Sequence, residues 1–396
     1  MKTAALIGTL CLSAFLYSCQ PQPQTAASAN VSVETEFSFT STFDSTRQQA
    51  VAFIPDTTVK RKRPLLVVAH YWWGNRFTAR DLEYYPECVK RGWLLVCPEL
   101  HGKRTGHETP LAALECQHDI VDAVRYMQAA YQVDSSRIYI AGRSMGGMIA
   151  QMMAAKYPDL FAAAAAGQGI SDLKAWIDES PMFREGVEKE CGPYDARSPF
   201  EYVRRSSVSY ASNLAFVPLF MWHGTNDTWV PTRQSDDLHR EISRYSARVP
   251  GVFWLYGAPH CDIKDMVEWE CGQLSLYRNV SEAGMEVAGR FYPDLSLVTD
   301  EDKAFFWLEL ERADAGAFGT VTASVKGDLV RISAGNLKKV TVILDKIAKS
   351  VSLARYEFAA DRAVALEFRR NGAIVASVAA SRSSAGPVAL ERINKE

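Results

Sequence analysis

The sequence predicts an α/β protein built on a mostly parallel sheet, followed by a small all-β unit. Three observations carry that expectation. Short apolar runs alternate with helical patterns from Phe37 to about residue 295. One of those runs leads directly into a glycine-flanked serine and then a helix. After Asp300 the hydrophobic period shortens to the two-residue alternation of strands. At 396 residues the chain exceeds one ordinary domain, which averages roughly 150 residues. Hydrophobic residues at 47% and charged residues at 23% support a buried core and exclude a disordered chain. Lys and Arg number 44 against 46 Asp and Glu, with no basic block, so nucleic acid is not an expected partner.

In chain order, Met1, Lys2 and an apolar run over 4–16 have the form of a secretory signal spanning residues 1–18. Leu16, Tyr17, Ser18 and Cys19 resemble a bacterial lipobox, which implies acylation of Cys19 and anchoring to a membrane of the cell envelope, at the periplasm or cell surface. An ordinary cleaved signal is the alternative, and either one exports the body. Residues 19–32, rich in Gln, Pro, Ala and Ser, read as a tether. Setting Cys11 and Cys19 aside leaves Cys88, Cys97, Cys116, Cys191, Cys261 and Cys271, an even number that in an exported protein suggests disulfides. No CxxC pair or histidine at zinc spacing accompanies them, so no metal is expected.

Residues 33–295 read as the catalytic domain. Its strands are expected at 51–54, 65–70, 93–97, 137–141, 160–167, 218–222 and 252–256, where β-branched and apolar residues run together as in a sheet buried on both faces. Helices are expected at 119–131, where Ile120, Val121, Val124 and Met127 share a stripe, and at 145–157. The stretch 172–213, with Pro181, Pro193 and Pro199, breaks this rhythm as an insertion that either caps a site or is a decorated crossover. In 300–396, alternating segments at 319–332, 340–344, 364–369 and 374–378, with turn residues Gly327–Asp328 and Asn371–Gly372, read as the small β domain.

Gly142, Arg143, Ser144, Met145, Gly146 is a GxSxG between a strand and a helix. Small residues there permit a tight turn that lifts the serine hydroxyl above the sheet edge, beside a helix N-terminus. A serine hydroxyl needs a general base and an acid to orient that base. His260 follows the last sheet strand and Asp227 the one before it, both beyond carboxyl ends, where open sheets place reactive groups. The order Ser144, Asp227, His260 is that of α/β hydrolases. Asp172, Asp262 and Asp265 are rival acids, and His70, His118, His223 and His239 read as structural. His101 and His107 beside Glu99 and Glu108 match no metal spacing. For the oxyanion, the Met145 amide and the loop carrying Tyr71 and Trp72 are the candidate donors. Trp73, Trp176 and Arg143 are candidate substrate contacts, the tryptophans for aryl, sugar or apolar groups and Arg143, like Arg76 and Arg184, for a carboxylate.

Residues 142–147, 223–231 and Pro259–His260, with 205–213 before the acid-bearing strand, resemble the catalytic domain of the prolyl oligopeptidase family over about residues 60–292. The resemblance implies an α/β-hydrolase fold and a serine peptidase acting on oligopeptides without a cofactor, with Ser144, Asp227 and His260 as the triad. The chain departs from that family in lacking the repeated blades of a substrate-filtering β-propeller. The expected activity is thus hydrolysis of a small peptide or acyl ester. A carbohydrate or carboxyl esterase of the same fold is the alternative, and a non-catalytic surface binding module is the reading from another class.

Overall fold

The computed structural model describes residues 32–194, 199–247, 249–260, 266–279, 292–347 and 353–387. The signal and lipid-anchor readings, with Cys19, fall outside them, as do Cys261, Asp262 and Asp265.

An eight-stranded sheet forms the body: β1 (Val33–Thr40), β2 (Arg47–Ile54), β3 (Arg63–Ala69), β4 (Leu94–Pro98), β5 (Val133–Arg143), β6 (Ala163–Gly167), β7 (Leu219–Gly224) and β8 (Val252–Leu255). Its order is β1-β2-β4-β3-β5-β6-β7-β8. The β1–β2 and β2–β4 pairs are antiparallel and the rest parallel. Every residue of β3, β4 and β6 is buried, as their unbroken apolar runs require of strands covered on both faces. The interleaved helices are α1 (Thr78–Asp81), α2 (Tyr84–Arg91), α3 (Leu114–Ala130), α4 (Met145–Lys156), α5 (Leu173–Glu179), α6 (Arg184–Cys191), α7 (Pro199–Val203), α8 (Ala211–Leu214), α9 (Arg233–Ser243) and α10 (Met266–Leu274). Successive residues of β3 point to opposite faces. Leu65 and Val67 pack with Ile120, Val124 and Met148 from α3 and α4. Leu66 and Val68 pack with Tyr84, Val267 and Leu274 from α2 and α10.

A second sheet contains β9 (Asp294–Thr299), β10 (Lys303–Phe305), β11 (Leu308–Arg312), β12 (Gly319–Lys326), β13 (Leu329–Gly335), β14 (Leu337–Ile343), β15 (Arg355–Arg370) and β16 (Ala373–Pro387). The turns expected at Gly327 and Gly372 are present, both at positive φ. β13 and β14 run parallel to successive halves of β15. They act as one long strand bent at Asn336, whose left-handed backbone (φ 51°) is held by a hydrogen bond that its backbone N–H donates to the Asp361 carboxylate at 3.1 Å. The sheet begins at Asp294, so β9 belongs to it and not to the catalytic unit that was expected to run to 295. That strand is paired with β12, a long-range partnership that alternation alone does not reveal.

The second sheet docks on the body through buried charge. At the end of α4, Lys156 lies 2.6 Å from Asp300 and 2.9 Å from Glu301. Arg204 meets Asp300 at 2.8 Å and His118 meets Glu301 at 3.0 Å. The Asn213 amide donates to the carbonyls of Ala155 and Val298 and its oxygen accepts from the Val298 amide, continuing the β9 pairing onto α4. Lys303, over the Tyr157 ring, has its amine pushed down to about 7 by burial and then by the neighbouring Lys156 charge.

The disulfide expectation is corrected: Cys88, Cys97, Cys116, Cys191 and Cys271 are all buried free thiols. Cys88, Cys97 and Cys271 share one apolar cluster and Cys116 and Cys191 lie in another, and burial pushes the Cys97 thiol up to about 12 and that of Cys191 to about 11, far from thiolate reactivity.

Burial alone would raise the Asp300 and Glu301 carboxyls, but the Lys156 charge, seconded by Arg204 at Asp300 and by His118 at Glu301, holds both below the usual range. A depressed folded-state pKa stabilises above the unfolded value and is lost as pH falls toward the folded one. The thermal midpoint is therefore expected to fall progressively below about pH 4, the unfolded carboxylate range. Lys156→Met should cost about 3 kcal/mol at neutral pH and flatten that acid limb. A midpoint measured from pH 2 to 8 for both proteins checks this, and identical acid limbs would remove the docking role.

Candidate active site

β5 delivers the chain to Ser144 in a left-handed, strained conformation, φ 56° and ψ −123°. The turn is possible only because its flanks lack side chains. A Cβ on Gly142 would sit 2.3 Å from the Gly146 carbonyl oxygen, and one on Gly146 would sit 2.2 Å from that of Ala69 on β3. The Ser144 amide donates to Gly167 at the end of β6 (2.9 Å), and its carbonyl accepts the Met148 amide, starting α4. The hydroxyl is thereby held at the carboxyl edge of the sheet.

β7 leads to Asp227. Its Oδ1 accepts the amides of Trp229 (2.9 Å) and Val230 (2.8 Å), and its Oδ2 lies 2.7 Å from His260 Nδ1. His223, anchored to Ser235 and the Val230 carbonyl, brings Nε2 within 3.3 Å of the same oxygen. Burial would raise this carboxyl, but the hydrogen bonds from His223 and His260, with the charge of His260 and the backbone amides, outweigh it and bring it down to about 2. His260 Nε2 is 3.0 Å from Ser144 Oγ. The loop carrying His260 is stitched to that of the acid by Asn226 N to Ala258 O (2.9 Å), and to β6 by the Gln168 side chain on the Pro259 carbonyl (2.9 Å). Hydroxyl, imidazole and carboxylate thus form one hydrogen-bonded line, able to pass a proton from serine to imidazole beside an ionised acid.

A cleft of about 390 Å³ opens over Ser144, lined by Tyr71, Trp72, Trp73, Trp176, Phe183 and Trp229 together with Leu82, Arg143, Gln168, Val230 and His260. The insertion supplies Trp176 from α5 and Phe183 from the single turn before α6, so it caps the site. Trp176 and Phe183 stack at 4.8 Å, Trp72 meets both edges, and the Trp176 indole N–H donates to the Trp229 carbonyl at 2.7 Å. The cap is fixed from behind by buried Glu190, which accepts the amides of Lys103, Arg104 and Thr105 and pairs with Arg205 at 3.0 Å.

Of the residues singled out from sequence, Ser144, Asp227 and His260 come together. The Met145 amide opens α4, where first-turn N–H groups have no acceptor within the helix. Tyr71 lines the cleft, and its carbonyl takes the Gly74 amide at 2.8 Å, closing a tight turn over 71–74. The Trp72 ring belongs to the aromatic wall. Trp73 stands exposed at the mouth, and Trp176 is buried in the wall. Arg143 borders the cleft, but its guanidinium faces the Trp222 ring and Glu270. The other arginines considered for a carboxylate are also answered internally, Arg76 by Glu36 and Glu99, Arg184 by Asp178 and Glu188. Asp172, the described rival acid, caps α5. Among the described residues no cluster of His, Cys, Asp or Glu is arranged to hold a metal. Sequence reasoning did not single out Phe183, Trp229 or Gln168; the only signal was the two aromatics within two residues of Pro181 and Asp227.

A serine, histidine and carboxylate so joined at the carboxyl edge of this sheet define an α/β hydrolase. Residues 111–252 match the prolyl oligopeptidase family (Peptidase_S9). The chain is a serine hydrolase, and over those residues it is similar to that family's catalytic domain. Feruloyl esterase B of Talaromyces funiculosus is 28% identical over 264 residues, 64% of this chain and 72% of its own. Feruloyl esterase B of Neurospora crassa is 48% identical over 141 residues, 34% of this chain and 47% of its own. A puromycin-hydrolyzing peptidase of Mycobacterium tuberculosis superposes with a TM-score of 0.53 at 20% identity, covering 63% of this chain and 39% of that structure. Acylaminoacyl peptidase of Pyrococcus horikoshii gives 0.51 at 18% identity, with 64% and 43% covered. The chain spans about two fifths of these solved structures, and the likeness to them is one of fold.

The close approach of Gly146 to Ala69 yields a direct test. Gly146→Ala is expected to lower the thermal midpoint and abolish labelling of Ser144 by a fluorophosphonate, followed by calorimetry and peptide mass spectrometry. Parent-like labelling would mean that β3 yields and the turn is not constrained as described.

Proposed function

We propose that the protein is an exported serine esterase that hydrolyses esters of aromatic acyl groups through an acyl-enzyme on Ser144. The observation that carries this is the aromatic wall over the hydroxyl, in a cleft lined by no carboxylate among the described residues. Flat apolar walls favour a planar acyl ring. A peptidase that grips a free amino terminus needs an anion there. The feruloyl esterases among the relatives support the same substrate class. The family match keeps a small peptide as the second reading.

In this mechanism His260 Nε2 takes the Ser144 proton as Oγ attacks the ester carbonyl, and Asp227 holds Nδ1–H and stabilises the imidazolium. The Met145 amide, with a donor from the Tyr71–Trp72 turn, takes the developing oxyanion. Collapse expels the alcohol with the proton from His260, and water, deprotonated by the same imidazole, attacks the acyl-serine and releases the acid. No cofactor enters. Trp73 and exposed Trp229 lie at the mouth, on the side open to a bulky alcohol. The second sheet acts as a domain buttressing the body, and Cys19 carries a lipid that retains the enzyme at the envelope. Detergent partitioning of the full chain against Cys19→Ser tests that anchor.

Ser144→Ala is expected to abolish turnover with the fold intact, and Asp227→Asn to lower kcat roughly 10,000-fold, both measured on methyl ferulate and on a peptidyl amide panel. Amide cleavage alone would favour the second reading. No fluorophosphonate adduct at all would leave a binding module. Phe183→Ala should lower kcat/KM for the ferulate ester about tenfold relative to an acetyl ester. An equal loss on both esters would show that this ring does not contact the acyl group.

A further inference from the structure

Behind the nucleophile turn, away from the cleft, lies a buried carboxylate that the mechanism above does not use. Glu270, on α10, has no exposed side-chain surface. Its Oε1 accepts the Trp222 indole N–H at 2.6 Å, and its Oε2 accepts the Tyr84 hydroxyl at 2.5 Å. Arg143 Nε stands 3.8 Å from Oε1, with the guanidinium 5.2 Å from the centre of the Trp222 ring. That ring in turn fills the space beside Gly167, where a Cβ would come within 2.2 Å of it. Gly167 is the residue whose carbonyl receives the Ser144 amide.

We propose that Glu270 is a positioning residue for the hydrolytic reaction, holding nucleophile and acid in register from beneath the sheet edge. The proposal rests on the triad reading above. Two of its contacts reach triad segments. Arg143 directly precedes Ser144. Trp222 directly precedes His223, whose ring touches Asp227. Tyr84 ties the group to α2, and burial followed by the Glu270 charge pushes its phenol well up, so it remains a donor. The indole and phenol would be satisfied by any neutral acceptor, and a carboxylate in addition places negative charge beside Arg143, which is itself buried. A displacement of the serine by a fraction of an ångström lengthens the 3.0 Å bond to His260 that proton transfer needs.

A purely structural carboxylate would affect stability and leave the chemistry alone, so the test separates the two. In the full chain, Glu270→Gln is expected to lower kcat, and in parallel the rate of fluorophosphonate labelling of Ser144, about tenfold or more, with KM within about twofold. Glu270→Asp, which keeps the charge, should recover part of that loss. The double variant Arg143→Met with Glu270→Gln removes both of these facing charges and should regain part of the thermal midpoint lost in Glu270→Gln without regaining kcat. Parent-like kcat and labelling in Glu270→Gln, or recovery of kcat together with the midpoint in the double variant, would overturn the proposal. If Glu270→Gln does not fold, the double variant and Glu270→Asp decide by the same kcat comparison. Failure of the triad reading is seen separately, as turnover persisting in Ser144→Ala.

Discussion

The backbone at Ser144 is held in a conformation that side-chain-bearing residues avoid, at a cost on the order of 1–3 kcal/mol, and the rest of the site is built to keep it there. Three neighbours supply the restraint: the Ala69 carbonyl pressed against Gly146, the Gly146 carbonyl against Gly142, and the Gly167 carbonyl receiving the serine amide. These groups come from β3, the turn itself and β6, the strands on either side of β5. A strained turn wedged between two fully buried strands cannot relax without moving the centre of the sheet. The small residues of β6, four alanines and a glycine, belong to the same constraint, since α4 and the Trp222 indole both approach them closely. The sheet therefore contributes position to the reaction, and the loops beyond its edge contribute the chemistry.

Charge is arranged to complement that geometry. Asp227 is ionised because two amides and two imidazoles converge on it, and its Oδ2 lies against His260 Nδ1. Close to the cleft, Arg143, Arg76 and Arg184 all find carboxylates of the protein itself. What faces a substrate is consequently aromatic and nearly uncharged, so binding there draws on apolar burial and ring contacts. Discrimination in such a pocket comes from shape. That is why fixing the cap matters: the Glu190 carboxylate, wrapped by three backbone amides and Arg205, holds α6 and thereby the Phe183 turn that precedes it.

The turn that carries Ser144 was legible because its motif is backbone chemistry: glycines at fixed spacing, a strand before and a helix after. Asp227 and His260 were legible because each follows a strand recognisable from an unbroken apolar run. The wall was less so. Trp176 was singled out as an aromatic in an insertion, yet Phe183 and Trp229 reach the cleft through packing between segments far apart in the chain, which carries no local period. The same blindness to partnership explains β9, whose strand character depends on pairing with β12, and the cysteines, whose even number suggested bridges where the five described ones are free thiols. Arg143 shows the opposite error in kind. A cation beside a nucleophile suggested a substrate contact, and only the fold reveals Glu270 and Trp222 beneath it.

The second sheet matters to the site through α4. That helix begins at the serine and ends at Lys156, a span of about 18 Å. Its first turn is fixed by the glycine contacts with β3 and its last by Asp300 and Glu301. A lysine buried at a helix C-terminus is favourably placed for the helix dipole but needs an anion to offset its lost hydration. The body itself does not supply one of the two found here; both come from the segment that follows β9. Asn213 adds a backbone-like bridge between the same helix end and β9. Detaching the sheet would thus leave Lys156, Arg204 and an apolar patch including Phe216 and Tyr210 facing water without their partners. A joint at the end of α4 bears on the other end of the same helix, because the orientation of α4 sets the direction of the Met145 amide that opens it.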